Sequence, residues 1–267
     1  MTVHPLRLAQ EVARPQTGRQ PHPFESRAMP PSAPSDSPGS ILLIGASRGL
    51  GAAMAAELLR RGGHVTGTVR PGGARTALHD LADAYGARVE IETLDITEPE
   101  QIAALHDRLA GRCFDILFVN AGTANPRQDE TIAEASTEDF IRVMVTNALA
   151  PLRVIEGLQE RVAPCGVIGV MSSGQGSIGN NVNGGHEVYR GSKAALNMYM
   201  RCYAARHAAD QRALLLLAPG WIRTRLGGPN APLSLEETVP RIVTTLLAQR
   251  GTPGLRYLDR EGRTVPW

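Results

Sequence analysis

The sequence predicts an α/β fold built on one parallel sheet with helices on both faces. From residue 41 onward, seven short apolar runs alternate with six segments of helical periodicity, and no internal repeat interrupts them. Strands that alternate with helices form parallel sheets, because each helix returns the chain to the end of the sheet from which the next strand starts. Since such crossovers are right-handed, we expect a doubly wound, Rossmann-like sheet in a single domain.

The predicted strands are short and mostly apolar, as is typical of strands buried on both faces. The series starts with "ILLIG" and includes the uninterrupted run "ALLLLA", whereas "RVEIETL" alternates polar and apolar residues. The seven predicted strands cover residues 41–45, 64–69, 88–94, 114–120, 166–172, 213–218 and 255–259.

Local signals mark the ends of the predicted helices. Gly62 and Gly63 close the first helix, and Pro99 lies in the first turn of the third, where proline is favoured. Ser136 fits the N-cap of the fourth helix. The six predicted helices cover residues 49–63, 74–85, 98–110, 137–160, 187–207 and 234–249.

The first 40 residues differ in composition from the rest. They contain eight prolines and few apolar residues, so they cannot bury enough surface to offset the entropy lost on ordering. We expect a disordered, proline-rich tail at 1–40 and a folded domain at 41–267, with a true start at Met29 as an alternative. The tail has neither the apolar stretch of a secretory signal nor an amphipathic transit helix.

Composition excludes several classes of function. A formal net charge of +2 gives no basis for binding nucleic acid or a membrane surface, and no run of 18 apolar residues could span a bilayer. The three cysteines (Cys113, Cys165 and Cys202) fit neither a disulfide framework nor a zinc-binding spacing, so no metal site is predicted. These features favour a cytoplasmic protein with reduced thiols.

A glycine-rich turn follows the first predicted strand. The sequence "GASRGLG" places Gly45, Gly49 and Gly51 between a strand and a helix. Glycines are required where the backbone turns tightly and approaches a pyrophosphate at a helix N-terminus. The spacing differs from the commoner Gly-x-Gly-x-x-Gly pattern, so the position of the turn is what indicates a dinucleotide site. A tight turn without a ligand is the alternative.

Two arginines occupy the places that would face the adenosine ribose of a dinucleotide. Arg48 lies inside the glycine turn and Arg70 follows the second strand, while no acidic residue occurs between Glu57 and Asp80. An acid in this region would bind the ribose 2′-hydroxyl of NAD, whereas a guanidinium suits the 2′-phosphate of NADP. The sequence therefore favours NADP(H) over NAD(H).

The only lysine of the chain, Lys193, lies four residues after Tyr189. Residues four apart share one face of a helix. An ammonium about 4 Å from a phenol favours the phenolate by roughly 4 kcal/mol at an effective dielectric near 20, which is about three pKa units. We therefore predict that Lys193 lowers the pKa of Tyr189, so that the phenol can exchange a proton with a carbonyl oxygen. A surface pair of no consequence is the alternative.

Seven motifs occur in one order along the chain: "GASRGLG", "LDIT", "NAG" at 120–122, Asn147, "MSS" at 171–173, "YRGSK" and "PGWIRT". In this order they resemble the short-chain dehydrogenase/reductase family, over residues 41–267. The segments "PGWIRTRLGGPNAPLS" and "GRTVPW" look most similar to C-factor-like and sniffer-like carbonyl reductases.

The resemblance implies roles for individual residues. It makes Tyr189 the acid/base, Lys193 also a ligand of the nicotinamide ribose, and Ser173 the holder of the substrate carbonyl, with Ser172 as an alternative. Together with the arginine argument, it predicts a set of cofactor-binding residues: Gly45, Ser47, Arg48, Gly49, Leu50, Gly51, Arg70, Asp95, Ile96, Asn120, Ala121, Gly122, Tyr189, Lys193, Pro219, Gly220, Ile222 and Thr224.

Asn147 matches the fourth catalytic position of the family. Pro151 follows it by four residues and has no N–H, so the carbonyl of Asn147 lacks its ordinary helical partner. In the family this position binds a water that leads to the lysine. A simple proline kink or a helix break at 148–150 is the alternative.

The predicted function is hydride transfer between NADP(H) and a carbonyl or secondary alcohol of a small molecule. An NADP(H)-binding signalling or interaction protein with little turnover is the alternative. Because the family associates through its two long helices, we expect a homodimer or homotetramer formed by 137–160 and 187–207. The sequence does not specify the substrate.

Overall fold

The computed structural model describes residues 37–267, so most of the predicted tail at 1–40 lies outside the described residues. Seven parallel strands form one sheet in the order β3-β2-β1-β4-β5-β6-β7, which confirms the doubly wound, Rossmann-like single domain. The strands are β1 Ser40–Ile44, β2 His64–Val69, β3 Val89–Thr93, β4 Phe114–Val119, β5 Val162–Met171, β6 Ala213–Ala218 and β7 Gly254–Asp259.

Seven α-helices connect the strands. They are α1 Gly49–Arg60, α2 Ala77–Tyr85, α3 Pro99–Arg108, α4 Thr137–Met144, α5 Ala150–Leu158, α6 Glu187–Arg206 and α7 Leu235–Leu247. Pro99 lies in the first turn of α3, and the Ser136 side chain accepts a hydrogen bond from the Asp139 N–H at the start of α4, as predicted. Every helix within residues 37–267 is too short or too polar to cross a bilayer.

Both faces of the central strands are buried, which explains why β1, β4 and β6 are mostly apolar. In β1, Ile41 and Leu43 belong to a core with α1, α2 and α7, whereas Leu42 and Ile44 belong to a core with α3, α5 and α6. All four side chains are fully buried. The layered packing fixes the carboxyl ends of β1 to β6 at one edge, where a doubly wound sheet binds its ligands.

Two elements differ from the sequence prediction. Strand β5 begins at Val162, four residues earlier than predicted, because Val162 pairs with Phe114 across a register shift that accommodates Pro164. The predicted helix 137–160 is a continuous helical path interrupted by a π-helical turn at Val145–Leu149. Within this turn the Ala150 N–H donates to the Val145 carbonyl, and Met144 and Ala150 keep helical φ and ψ, so the helix does not break there.

Candidate active site

The glycine turn between β1 and α1 requires its glycines. Gly45 and Gly49 have φ of +86° and +54°, a region that residues with a Cβ rarely adopt. A Cβ at Gly51 would lie 2.0 Å from the Gly45 carbonyl oxygen. That oxygen accepts a 2.9 Å hydrogen bond from Asn120 Nδ2, while the Gly45 N–H donates to Thr68 Oγ1. The turn therefore forms a cradle of backbone at the N-terminus of α1, with space that side chains would otherwise fill.

A cleft of about 520 Å³ opens beside this turn, beyond β2 and β3. Arg70 and Asp95 line it, and Arg48 lies exposed on the turn. Asp95 is held in place because its carboxylate accepts hydrogen bonds from both the N–H and the hydroxyl of Thr97. Within residues 37–267, the guanidinium groups of Arg48 and Arg70 have no hydrogen-bond or ion-pair partner, although most other arginines do. One unpaired cation, Arg70, thus lines the cleft, and a second, Arg48, lies exposed on the glycine turn.

The loop after β4 lies against the π-helical turn. The Thr123 N–H donates to Asn147 Oδ1 at 2.8 Å, and Asn147 Nδ2 donates to the Thr123 carbonyl and to Ser192 Oγ. Asn147 is fully buried, so its whole side chain is used to fix the loop. A Cβ at Gly122 would lie 3.3 Å from Asn147 Oδ1 and 3.6 Å from Lys193 Nζ, so Gly122 lies directly beside both side chains.

Helix α6 presents a row of polar side chains to the carboxyl end of β5. Lys193 is 3% exposed, and its Nζ donates a 2.8 Å hydrogen bond to the Met171 carbonyl. The same Nζ lies 5.9 Å from the centre of the Tyr189 ring, and the Ser173 side chain lies near enough to the Tyr189 hydroxyl to lower its pKa. The structure therefore brings Ser173, Tyr189 and Lys193 together.

The pKa of Tyr189 differs from the one that the sequence predicts. Burial raises the pKa of Tyr189 to about 12, and the nearby Ser173 side chain only partly opposes this. Burial also lowers the pKa of Lys193 to about 8. The prediction that Lys193 sets a low pKa for Tyr189 is therefore wrong for the chain alone, because desolvation favours the neutral form of both groups.

The two serines at the end of β5 point in different directions. Ser172 is buried, and its hydroxyl donates a 2.6 Å hydrogen bond to Asn197 Oδ1. Ser173 is partly exposed, and its Oγ also accepts a hydrogen bond from the Gln175 N–H. Of the two serines, Ser173 is the one beside Tyr189.

The segment after β6 lies beside the glycine turn. Gly220 has φ +92°, and Ile222 is buried and paired with Leu233. Thr224 Oγ1 accepts a 3.0 Å hydrogen bond from the Gly227 N–H, and Thr224 Cβ lies 4.0 Å from the place of a Cβ at Gly49. The predicted cofactor-binding residues thus converge on one edge of the sheet. Five of them lie in the turn or just after strand ends: Ser47, Leu50, Ile96, Ala121 and Pro219.

Three residues of the site have no counterpart in the sequence prediction: Ser192, Asn197 and Tyr257. Asn197 continues the spacing of four that starts at Tyr189, which is a signal the sequence contained. Tyr257 lies on β7, remote in sequence, and no local pattern identifies it.

A family model described as "Enoyl-(Acyl carrier protein) reductase" matches residues 45–242, which include the glycine turn, Asn147, Ser173, Tyr189 and Lys193. The chain belongs to the short-chain dehydrogenase/reductase family. This confirms the resemblance seen in the sequence.

Solved structures of other family members are similar along most of the chain. A short-chain dehydrogenase/reductase from Burkholderia multivorans with bound NADP is 62% identical, covers 86% of this chain and 99% of its own, and has a TM-score of 0.85. A carbonyl reductase from Pseudomonas aeruginosa PAO1 in complex with NADP is 35% identical, with coverage of 86% and 99% and a TM-score of 0.79. C-signal of Myxococcus xanthus is 32% identical over 161 residues, which are 57% of this chain and 92% of C-signal.

Proposed function

We propose that this short-chain dehydrogenase/reductase is an NADP(H)-dependent enzyme that interconverts a carbonyl group and a secondary alcohol of a small molecule. The observation that carries the proposal is the convergence of Ser173, Tyr189 and Lys193 at the edge of the sheet where the glycine turn lies. The backbone cradle at Gly45 and Gly51 fits a pyrophosphate. When bound, the cofactor supplies or accepts the hydride.

Each of the three side chains has a role that suits its surroundings. Ser173 Oγ is partly exposed and holds the substrate carbonyl oxygen by a hydrogen bond. Tyr189 donates its proton to that oxygen, and because burial raises its pKa to about 12 it is protonated at neutral pH, as an acid must be. Lys193 holds the nicotinamide ribose and supplies the positive charge that stabilises the phenolate left behind.

We assign Asn147 to the support of Lys193. Its side chain is committed to Thr123 and Ser192, so its backbone carbonyl is the group left to bind a water that leads to Lys193. Location in a π-helical turn agrees with this role, since such turns occur frequently at functional sites.

Arg48 and Arg70 would give the enzyme its preference for NADP(H). We expect Arg70→Ala to weaken NADPH binding by about 10- to 100-fold, because a hydrogen bond to a charged group contributes about 1.5–3 kcal/mol, while NADH binding changes little. Cofactor fluorescence titration measures both affinities. The matched control is Arg153→Ala, which removes another exposed, unpaired guanidinium on α5; equal losses for NADPH and NADH in Arg70→Ala would contradict the assignment.

The proposed activity is tested directly with purified protein, NADPH and a panel of aldehydes, ketones and quinones, by following the absorbance of NADPH. Consumption that depends on a carbonyl compound supports the enzyme. The similarity to C-signal favours one alternative, a nucleotide-binding signalling protein. That alternative predicts tight NADPH binding with no consumption on any member of the panel.

We also propose that the protein assembles as a homodimer or homotetramer through α4, α6 and the π-helical turn. These elements carry five exposed apolar side chains: Phe140, Ile141, Leu149, Met198 and Tyr199. Apolar side chains exposed together on a surface mark an interface. Light scattering is expected to give a dimer or tetramer, and the double variant Ile141→Glu/Met198→Glu a smaller species; a monomeric wild type would contradict the proposal.

A further inference from the structure

The backbone of Ser173 leaves the sheet immediately after its last ladder hydrogen bond. That bond runs from the Ser172 N–H to the Leu217 carbonyl, so the sheet holds Ser172 but not Ser173. The Ser173 φ and ψ of −161° and 146° are extended, a conformation open to any residue. Ser173 must therefore be oriented by the hydrogen-bond partners of its side chain and of its carbonyl group.

Tyr257, on β7, is one of those partners. Its hydroxyl donates a short hydrogen bond to the Ser173 carbonyl oxygen, and the Gly176 N–H donates to the same oxygen at 2.9 Å. A carbonyl oxygen has two lone pairs, so this one is fully used. Tyr257 is 2% exposed, and its ring lies 5.4 Å from the Trp267 ring, so the hydroxyl is presented from a packed position.

Asn197 extends this contact on both sides of Ser173. It accepts a 2.6 Å hydrogen bond from Ser172 Oγ and donates one of 3.2 Å to the Gly176 carbonyl. The side chains of Asn197 and Ser172 also lie near the Tyr257 hydroxyl, and both act to lower its pKa against the effect of burial. A buried polar cluster of Ser172, Asn197 and Tyr257 thus brackets Ser173.

The cluster is anchored to the helix that carries Tyr189. Asn197 lies one turn beyond Lys193 on α6, and a Cβ at Gly176 would lie 2.9 Å from the backbone carbon of Lys193. Because one helix supplies Tyr189, Lys193 and Asn197, the turn at 173–176 is fixed relative to the phenol. A displacement of the turn would alter the distance between the hydroxyls of Ser173 and Tyr189.

We propose that Tyr257 is a positioning residue for the reaction, which acts by holding the Ser173 carbonyl, with Ser172 and Asn197 as its supports. The proposal rests on the proposed function, in which Ser173 holds the substrate carbonyl. It assigns Ser172, the alternative to Ser173 in the sequence, to the supporting cluster.

The test compares Tyr257→Phe with Ser173→Ala and with Tyr203→Phe. The first variant keeps the ring and removes only the hydroxyl. We expect kcat to fall about tenfold, because a small misplacement of a reacting group has a large effect on rate, with the dissociation constant for NADPH unchanged. Tyr203→Phe removes another buried hydroxyl, which donates to Gln159, and is expected to keep the wild-type kcat whatever its effect on the melting temperature.

The pH dependence of the rate distinguishes a positioning role of Tyr257 from a general loss of stability. The nearby Ser173 side chain lowers the pKa of Tyr189, so displacing Ser173 raises that pKa. Alcohol oxidation requires the phenolate, and its rise with pH should therefore move to higher pH in Tyr257→Phe, in the same direction as in Ser173→Ala. A merely structural loss of active protein would lower the rate without moving the profile.

Three other outcomes would overturn the proposal, in distinguishable ways. If Ser173→Ala lowers kcat and Tyr257→Phe leaves both kcat and the pH profile unchanged, the positioning role fails while the proposed function stands. If Tyr203→Phe lowers kcat as much as Tyr257→Phe does and neither moves the profile, the effect is one of stability alone. If Ser173→Ala retains the wild-type kcat, the role of Ser173 in the proposed function fails, and the role of Tyr257 fails with it.

Discussion

Replacing Tyr189 with phenylalanine is expected to lower kcat for carbonyl reduction by about 10³-fold, within the range that general acid catalysis contributes. The variant loses one hydroxyl and keeps the aromatic ring on α6, so NADPH should bind with its wild-type affinity. Steady-state kinetics with the best substrate of the carbonyl panel, together with a cofactor titration, measures the two quantities separately. A loss confined to kcat would place the phenol in the chemical step.

The matched control is Tyr85→Phe, on α2, which has no hydrogen bond to its hydroxyl within the described residues and lies outside the site. It should keep the wild-type kcat. Activity that survives Tyr189→Phe at more than about a tenth of the wild-type rate would show that another group delivers the proton, since loss of a general acid costs at least about 10²-fold.

The raised pKa of Tyr189 also predicts how carbonyl reduction and alcohol oxidation depend on pH. Because burial raises it to about 12, the phenol of the free enzyme is protonated throughout the neutral range and well above it. Reduction, which needs the acid, is therefore expected to be insensitive to Tyr189 ionisation near neutral pH. Oxidation, which needs the phenolate, is expected to increase with pH.

The elements of the fold could be predicted from the sequence because each one carries its own signal. Strand β1 is buried on both faces and hence apolar from Ile41 to Ile44, and Ser136 caps α4 as its sequence position predicts. The first residues of β5 had no such signal. Pro164 argues against a strand, and only pairing of Val162 with Phe114 of β4 extends the strand to include it.

The site could be predicted as far as spacing determines it. A spacing of four residues on a helix places Tyr189 and Lys193 on one face, and the glycines indicate the turn after β1. Spacing does not determine burial, so the direction of the Tyr189 pKa was predicted wrongly. It also does not decide which serine of a pair at a strand end faces the site, because that depends on Asn197 and on Tyr257, which belong to other elements.

Lys193 offers the sharpest test of the electrostatics, because it can be replaced in two ways. Lys193→Met keeps the length of the side chain and removes the charge, and is expected to lower kcat/KM by about 10²-fold, comparable with the loss of a positioned electrostatic group. Lys193→Arg keeps the charge but should rescue little of this loss. Lys193 is 3% exposed and its Nζ donates to the Met171 carbonyl at 2.8 Å, and a longer, planar guanidinium does not reproduce this contact in the same buried space.

The pH dependence of these variants tests the same lysine without relying on the size of the loss. Burial lowers its pKa to about 8, so the ammonium loses its proton as the pH rises through 8. In the wild type kcat/KM with respect to NADPH should therefore fall above about pH 8, since this parameter reports ionisations of the free enzyme. Whatever activity Lys193→Arg retains should lack that fall, because a guanidinium stays protonated. The ordinary lysine pKa of 10.5 lies above the pKa of Lys193 in the folded protein, so the unfolded chain binds more protons between about pH 8 and 10.5 and wild-type stability should rise with pH over this range. Lys193→Met should lack this contribution.

Two results together would show that the ammonium is not held in a desolvated position. One is a wild-type profile of kcat/KM that is flat through pH 8, and the other is a stability difference between wild type and Lys193→Met that does not change with pH. The proposed support of the phenolate by Lys193 would then have to be abandoned.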